Sequence, residues 1–205
     1  MIAIVNYDTG NIRSVINALK RIGADEWVYT DKESILRSAD HVLLPGVGEA
    51  SGAMQKLKER GLDEVIPTLT CPVLGICIGT QLMCRYSEES QTQGMGIFDT
   101  EVRRFEKTQE TGPDGNLISL KIPHMGWNSI DALTGPLFRG IPEESFIYYV
   151  HSYYPALCRE TIAQSHHGCT FSAALGRENF FGTQFHPEKS GRIGAEILKN
   201  FLDIR

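Results

Sequence analysis

A cysteine between two glycines carries the strongest chemical signal in this sequence. Cys77 follows an apolar run typical of a strand, precedes a run with helical periodicity, and stands between Gly75 and Gly79. A sharp turn between a strand and a helix exposes a nucleophilic side chain, and small residues beside it let the two elements approach closely. The spacing therefore predicts that Cys77 is a nucleophile.

A thiol at this position needs a basic partner. The positive end of a helix dipole contributes about 0.3–1 kcal/mol, whereas one pKa unit takes about 1.4 kcal/mol. In the segment QFHPE, Pro187 favours an extended conformation at His186, and residues two apart in an extended chain point to the same side. One ring nitrogen of His186 can then face the sulfur while the other donates to the Glu188 carboxylate. We predict a triad of Cys77, His186 and Glu188.

An acyl-transfer intermediate on this sulfur needs two backbone donors. The amide of Ile78, directly after the nucleophile, can supply one. The segment PGVG at 45–48 follows a neighbouring predicted strand and can supply the other through Gly46 and Val47. Taken alone, the GxCxG pattern also fits a packing turn, and FHP also fits a buried core histidine. Their combination favours catalysis.

The other cysteines and histidines indicate neither disulfides nor a metal site. The chain has five cysteines, an odd number, and none of them forms a CxxC pair. Cys84 lies on the same predicted helical face as Cys77 and fits a small core hydrophobe. His166 and His167 fit an exposed turn better than a metal site, because no third ligand is suitably spaced. We expect no metal and no cofactor.

The elements that must position these residues follow from the hydrophobic pattern. In about the first 90 residues, short apolar runs at 1–6, 27–29, 41–44 and 72–76 alternate with helical patterns at 12–22, 34–38, 50–60, 63–69 and 78–86. This alternation predicts a parallel sheet covered on both faces, with a ligand site beyond the carboxyl ends of its strands.

The second half has a different pattern. Alternating stretches predict the strands of a mixed sheet, the polar stretch 106–116 predicts an exposed loop, and 193–202 predicts a closing helix. The predicted strands lie at 101–105, 117–122, 146–150, 171–175 and 180–185.

Composition limits the class of protein. A chain of 205 residues with 41% hydrophobic residues fits one globular α/β domain. The net charge of −5 and the lack of a dense basic block argue against nucleic acid as a partner. The sequence shows no secretory signal and no run of about 18 apolar residues, so we expect a cytoplasmic location and no membrane.

Three motifs resemble those of a known family, the class I (triad) glutamine amidotransferases. The matching motifs are PGVG at 45–48, GICIGTQL at 75–82 and QFHPE at 184–188. Within that family the chain is similar to the glutaminase subunits of imidazole glycerol phosphate synthases, on GNIRSV at 10–15, PHMGWN at 123–128, VHSYY at 150–154 and QFHPEKSGRIGAEILKNF at 184–201. Relatives that serve anthranilate synthesis usually carry a histidine before the glutamine of the nucleophile helix and end the last motif in HPES. This chain has Thr80 and Lys189 at those positions.

The resemblance implies a fold and a reaction. The fold is a three-layer α/β sandwich of the flavodoxin-like type, with a central, mostly parallel sheet and one domain over 1–205. In the reaction, Cys77 attacks the side-chain amide of L-glutamine, and water hydrolyses the resulting glutamyl thioester. Gln81, Ser152 and Tyr153 match the glutamine-binding positions of the family.

The resemblance also implies a partner. Ammonia would pass to a cyclase subunit with a (βα)8 barrel, which converts N'-(5-phosphoribulosylformimino)-AICAR ribonucleotide to imidazole glycerol phosphate and AICAR ribonucleotide in histidine biosynthesis. Trp127 and Lys189 match positions near the interface of this heterodimer. Three alternatives stay open: a glutaminase serving another synthase, a stand-alone cysteine hydrolase such as a γ-glutamyl hydrolase, and a non-catalytic binding module.

Overall fold

The computed structural model describes residues 1–8, 11–111 and 116–205. The α-helices, numbered in chain order, are α1 (Ile12–Arg21), α2 (Glu33–Ser38), α3 (Ala50–Glu59), α4 (Leu62–Val65), α5 (Ile78–Met83) and α6 (Gly191–Leu202). The strands are β1 (Ile2–Val5), β2 (Trp27–Thr30), β3 (His41–Gly46), β4 (Val73–Cys77), β5 (Cys84–Ser87), β6 (Thr92–Gln93), β7 (Phe98–Arg104), β8 (Gln109–Thr111), β9 (Leu117–Ser119), β10 (His124–Ile130), β11 (Ser145–His151), β12 (Tyr153–Pro155), β13 (Thr161–His166), β14 (Thr170–Arg177) and β15 (Phe180–Thr183).

A central sheet contains seven of these strands in the order β13-β14-β15-β4-β3-β1-β2. The pairs from β15 to β2 are parallel, and β13 and β14 extend the sheet as antiparallel strands. Every residue of β1 and β4 is buried, as expected for parallel strands with helices on both faces. The prediction of an α/β fold with a mostly parallel central sheet is confirmed.

The helices form two groups. Helix α1 contacts α6, whereas α3 contacts α4 and α5. The crossover through α1 runs from β1 to β2, and the crossover through α3 and α4 runs from β3 to β4 in the opposite direction along the sheet. Because such crossovers are right-handed, the two groups cover opposite faces of the sheet. The result is a helix–sheet–helix sandwich.

The prediction of one mixed sheet in the second half is wrong. Among the described residues of the second half, β13, β14 and β15 join the central sheet. Strands β7 and β12 form a four-stranded sheet with the earlier β5 and β6, in the order β12-β7-β5-β6, and the others form the two-stranded pairs β10-β11 and β8-β9. The β-type pattern predicted strands without predicting their partners, because a strand with alternating burial carries no signal for which sheet it joins.

Two local predictions also need correction. The helix predicted over 78–86 ends at Met83, and Cys84 begins β5, where it pairs with Phe98 of β7. Cys84 is fully buried, as expected for a core hydrophobe, but it lies on a strand. The stretch 106–116 is not simply a loop, because β8 lies within it and pairs with β9; residues 112–115 are outside the described part of the chain.

No helix in the described ranges is long and apolar enough to cross a membrane.

Candidate functional site

Cys77 sits at the turn that the sequence predicts. It is the last residue of β4, and α5 begins at Ile78. Its φ of 54° and ψ of −110° lie in a region that side-chain-bearing residues rarely adopt, so the backbone here is strained. The side chain is only 5% exposed, yet it faces a cavity of about 350 Å³. A strained, sheltered cysteine at a cavity wall is typical of a nucleophile.

The glycines around this turn allow three elements to touch. A Cβ on Gly79 would lie 1.8 Å from the carbonyl oxygen of Leu44 in β3. A Cβ on Gly75 would lie 2.8 Å from the amide nitrogen of Thr80 in α5, and one on Gly46 would lie 2.6 Å from the amide nitrogen of Gly79. Strands β3 and β4 and helix α5 therefore meet without room for side chains at these positions.

Sheet register brings His186 to the same edge of the sheet. Strand β15 is parallel to β4, and Thr183 pairs with Ile76. The segments that follow these two strands therefore leave the sheet at the same end. His186 has an extended backbone (φ −100°, ψ 94°), as the following proline requires. Residues Pro187–Lys189 then form a 3-10 turn rather than an extended continuation. This turn places the Oε1 atom of Glu188 2.8 Å from Nδ1 of His186.

Hydrogen bonds to β11, Ser190 and α1 stabilise this turn. The amide of His186 donates to the carbonyl of Tyr148 in β11 at 3.0 Å. The hydroxyl of Ser190 donates to the His186 carbonyl at 2.7 Å and accepts from the amide of Tyr148 at 2.9 Å. The guanidinium of Arg21 in α1 donates to the Glu188 carbonyl at 3.1 Å. The histidine and its carboxylate are thus held by fixed backbone contacts.

The electrostatics of this group favour a protonated imidazole. Burial lowers the pKa of His186, but hydrogen bonds to Cys77 and Glu188, together with the charges of these groups, outweigh burial and raise the pKa to about 9. A protonated imidazole beside a thiol favours the thiolate, and Glu188 stabilises the imidazolium. The three predicted triad residues are therefore in contact, with the histidine in the middle.

The PGVG segment lies against the nucleophile. Gly46 ends β3 and pairs with Cys77 in the sheet. The buried hydroxyl of Tyr7 donates to the carbonyl of Pro45 at 2.6 Å and fixes this end of the segment. Val47 is 40% exposed and lines the cavity, as does Ile78. All three predicted oxyanion residues are therefore adjacent to the nucleophile.

The residues predicted to bind glutamine line the cavity. Gln81, Ser152 and Tyr153 all contribute to its wall. The Nε2 atom of Gln81 donates to the carbonyl of Tyr153 at 3.0 Å and to Oε1 of Gln184 at 2.9 Å. The Oε1 atom of Gln81 is buried and has no hydrogen-bond partner among the described residues. A buried acceptor without a partner at a cavity wall can accept a hydrogen bond from a ligand.

The residues predicted at a partner interface are on the outer surface nearby. Trp127 in β10 is 56% exposed and forms an edge contact with Tyr148 of the paired strand. Lys189 lines the cavity, and its ammonium lies 5.9 Å from the centre of the same tyrosine ring. Met125 and Phe146 are also well exposed on these two strands, so the surface is apolar.

Three residues near the nucleophile were not predicted to have a role. Gln184 donates to the sulfur of Cys77, and Glu89 and His151 line the cavity. Gln184 and His151 both lie inside motifs that carried the family resemblance, which was a usable signal. Glu89 lies in the polar stretch after β5, and nothing in its local pattern predicts its position.

The histidine pair at 166 and 167 is only partly as predicted. His166 ends β13 and is exposed, whereas His167 is half-buried and stacks on His124 with ring centres 4.1 Å apart. In the part of the chain that the structure describes, no group of three or more His, Cys, Asp and Glu side chains is arranged to hold a metal ion.

Sequence comparison identifies relatives over the full length. Residues 3–204 match the family "Glutamine amidotransferase class-I". A protein of Bacteroides thetaiotaomicron named imidazole glycerol phosphate synthase subunit HisH is 50% identical over 203 residues, covering 99% of both chains. Proteins of the same name from Yersinia pseudotuberculosis and Bacillus cereus are 44% and 47% identical, covering 98% and 100% of this chain and 99% and 95% of theirs.

Structural comparison agrees on the fold. A crystal structure of a glutamine amidotransferase matches with a TM-score of 0.72 at 16% identity, covering 99% of this chain and 98% of the other. A putative GMP synthase protein from Thermoplasma acidophilum matches with a TM-score of 0.71 at 21% identity, covering 98% of this chain and 91% of the other. With the family match over nearly the whole sequence, these findings show that the chain belongs to the class I glutamine amidotransferase family.

Proposed function

We propose that this chain is the glutaminase subunit of an imidazole glycerol phosphate synthase, with residues 1–205 as one domain. Family membership and the name shared by relatives at 44–50% identity support this assignment. The observation that carries the chemistry is the contact of Cys77, His186 and Glu188 at the wall of one cavity. The reaction converts L-glutamine and water to L-glutamate and ammonia.

Acylation begins at the sulfur of Cys77. The thiolate forms a bond to the side-chain carbonyl carbon of glutamine, and the carbonyl electron pair moves onto oxygen. The protonated His186 then gives its proton to the amide nitrogen, which leaves as ammonia when the carbon–nitrogen bond breaks. The product is a glutamyl thioester on Cys77. Glu188 stabilises the imidazolium before this transfer and keeps the ring oriented after it.

Deacylation uses the same groups in reverse order. Neutral His186 takes a proton from water, and the resulting hydroxide adds to the thioester carbonyl. Collapse of that intermediate breaks the carbon–sulfur bond and releases glutamate and the thiolate. Developing charge on oxygen in both steps is stabilised by backbone amides, for which we propose Ile78 and the segment at Gly46 and Val47.

Recognition of glutamine follows from the polar groups on the cavity wall. The unpartnered Oε1 of Gln81 suits a donor N–H of the substrate. Glu89 provides a carboxylate that suits an α-ammonium group; its Oε2 already accepts from the amide of Ala50 at 2.8 Å. Ser152 and Tyr153 complete this side of the cavity. A site with these groups fits an amino acid with a polar side chain.

The partner is a cyclase subunit with a (βα)8 barrel. It receives ammonia and converts N'-(5-phosphoribulosylformimino)-AICAR ribonucleotide to imidazole glycerol phosphate and AICAR ribonucleotide. Direct delivery keeps ammonia from being protonated in water. The exposed apolar side chains of Met125, Trp127 and Phe146 on β10 and β11 support a docking surface beside the cavity, with Lys189 at its edge.

Two measurements test this proposal. The purified chain mixed with a cyclase partner should produce imidazole glycerol phosphate from glutamine. Trp127→Ala should weaken that complex by about tenfold or more, the scale for an aromatic side chain that becomes buried at the centre of an interface. The matched control is Leu157, an exposed apolar residue outside β10 and β11, so Leu157→Ala should leave binding unchanged. Glutamine hydrolysis without any synthesis by the mixture would refute the pathway assignment.

A further inference from the structure

We propose that Gln184 is a positioning residue for the nucleophile, which it holds through an N–H donor aimed at the Cys77 sulfur. The Nε2 atom of Gln184 lies 3.6 Å from Sγ of Cys77, within hydrogen-bond distance for sulfur. The side chain is fully buried and is not part of the cavity wall, so it meets the sulfur from inside the protein. The inference deepens the proposed glutaminase function and rests on it.

The direction of this hydrogen bond is set by a backbone carbonyl. An amide side chain can be turned by 180°, so its nitrogen and oxygen must be assigned from their partners. The carbonyl oxygen of Tyr153 can only accept, and therefore the atom of Gln81 that contacts it at 3.0 Å must be the nitrogen Nε2. That same nitrogen contacts Gln184 at 2.9 Å, so the atom of Gln184 facing it must be the acceptor Oε1. The N–H group of Gln184 is then left to face the sulfur.

A second donor strengthens this assignment. Nδ1 of His151 also lies 2.8 Å from the Tyr153 carbonyl, so this ring must carry its hydrogen on Nδ1. Its Nε2 then accepts from Nδ1 of His124 at 2.9 Å. Nε2 of Gln81 and Nδ1 of His151 therefore both donate to the Tyr153 carbonyl, and the directions of the hydrogen bonds in this network are mutually consistent.

The donor acts differently on the two forms of the nucleophile. A neutral thiol is a weak acceptor, whereas a thiolate carries a full charge and accepts strongly. An N–H group fixed beside the sulfur therefore stabilises the thiolate more than the thiol. His186 does the same from the cavity side, so the sulfur lies between a cationic ring and a neutral amide.

The hydrogen bond between Gln81 and Gln184 also orients the substrate site. The hydrogen bonds of Nε2 of Gln81 to Tyr153 and Gln184 fix the orientation of this amide, and its Oε1 has no partner among the described residues. Gln184 thereby connects the nucleophile to the acceptor that we propose for glutamine. Loss of this side chain should change both the reactivity of Cys77 and the affinity for substrate.

Alkylation of Cys77 by iodoacetamide tests the first effect without glutamine or a partner. Gln184→Met removes the donor at similar volume, and Gln184→Glu keeps an acceptor for Gln81 while placing carboxylate oxygen beside the sulfur. The control is Thr183→Val, because Thr183 is equally buried and its hydroxyl has no hydrogen-bond partner among the described residues. The variants leave the other titratable groups around the cavity unchanged, namely His186, Glu188, His151, Tyr153, Glu89 and Lys189.

We expect both Gln184 variants to be alkylated at Cys77 at least about tenfold more slowly than the wild type at pH 7, the scale for loss of one hydrogen bond to a charged group. Their half-maximal rate should move to higher pH, and Thr183→Val should behave as the wild type. Mass spectrometry assigns the modified cysteine, and circular dichroism verifies folding. A folded Gln184 variant of either type with the wild-type rate and midpoint would overturn the inference.

Steady-state kinetics separate this inference from the function on which it rests. With the cyclase partner present, the Gln184 variants should show a lower kcat and a higher KM for glutamine. If the wild-type chain itself hydrolyses no glutamine under these conditions, the proposed function fails, whereas the alkylation result still decides the role of Gln184.

Discussion

Replacing Glu188 by glutamine isolates the charge that stabilises the His186 imidazolium. The two side chains are both nearly inaccessible to solvent, and their Nδ1 and Oε1 atoms are 2.8 Å apart. Glutamine has the same shape and can still accept from Nδ1 through its oxygen. The substitution therefore keeps the ring position and removes the negative charge.

The structure sets the magnitude of the effect. The pKa of His186 rises from 6.5 to about 9, which at about 1.4 kcal/mol per unit is a net stabilisation of the imidazolium by about 3 kcal/mol. A hydrogen bond to a charged group contributes about 1.5–3 kcal/mol and a neutral one about 0.5–1.5 kcal/mol. Glu188→Gln should thus remove about 1–2 kcal/mol, which lowers the pKa of His186 by about one unit and kcat by about five- to thirtyfold.

Titration of the His186 ring signals by NMR measures the first quantity, and glutamate release in the presence of the partner measures the second. The free energy of unfolding of the chain should also depend on the protonation of His186. Between pH 6.5 and 9 the folded chain holds a proton on His186 that the unfolded chain has released. This contribution to the free energy of unfolding is therefore present below pH 6.5 and is lost as the pH rises through 9.

Two results would refute this reasoning. A wild-type His186 that titrates near 6.5 would show that the contacts with Cys77 and Glu188 do not favour its charged form. A folded Glu188→Gln variant with unchanged titration and unchanged kcat would show that the carboxylate charge has no part in catalysis.

Further predictions concern the packing, the substrate site and the pH range of the fold. Gly79→Ala would bring a methyl group to 1.8 Å from the Leu44 carbonyl and should reduce the free energy of unfolding by about 3 kcal/mol or more, measured by urea denaturation. Its control Gly52→Ala, in an open position on α3, should be neutral or stabilising; equal stability of both variants would contradict the packing. Glu89→Gln keeps an acceptor for the α3 amide but loses its charge, so it should raise KM for glutamine with kcat nearly unchanged, and an unchanged KM would exclude it from substrate binding. Burial, with a smaller contribution from a neighbouring histidine, lowers the pKa of His124 to about 3, so its contribution to stability is present above pH 6.5 and is lost as the pH falls towards 3. Between pH 6.5 and 5 the loss should be about 2 kcal/mol, and His124→Asn should lose less; an equal loss in both proteins would contradict this origin.

The first half of the fold could be predicted because its strands β1, β3 and β4 are almost entirely buried. Strands β1 and β4 are continuous apolar runs, and helices between the strands, such as α1, show apolar residues at helical spacing. In the second half, strands such as β7, β10 and β11 alternate buried and exposed residues, and their pairing depends on distant segments. Cys84 illustrates this limit: its local pattern continues a helix, whereas pairing with Phe98 makes it a strand residue.

The parts of the site that lie within short sequence motifs could be predicted. Pro187 predicts the extended backbone at His186, and the glycines beside Cys77 predict the close approach of strand and helix. The motif QFHPE marks Gln184, but the contacts of its side chain could not be predicted, because its two partners come from α5 and from the end of β4, more than a hundred residues earlier. Such a contact depends on β15 lying beside β4, which no local pattern shows.

The catalytic role of Cys77 is the central claim, and an ammonia bypass tests it most directly. The chain carrying Cys77→Ala is mixed with the cyclase partner, and imidazole glycerol phosphate is measured with glutamine or with ammonium chloride as the nitrogen source. We predict that synthesis from glutamine is lost and that synthesis from ammonium at high pH is retained. Undiminished synthesis from glutamine by the folded variant would contradict the account.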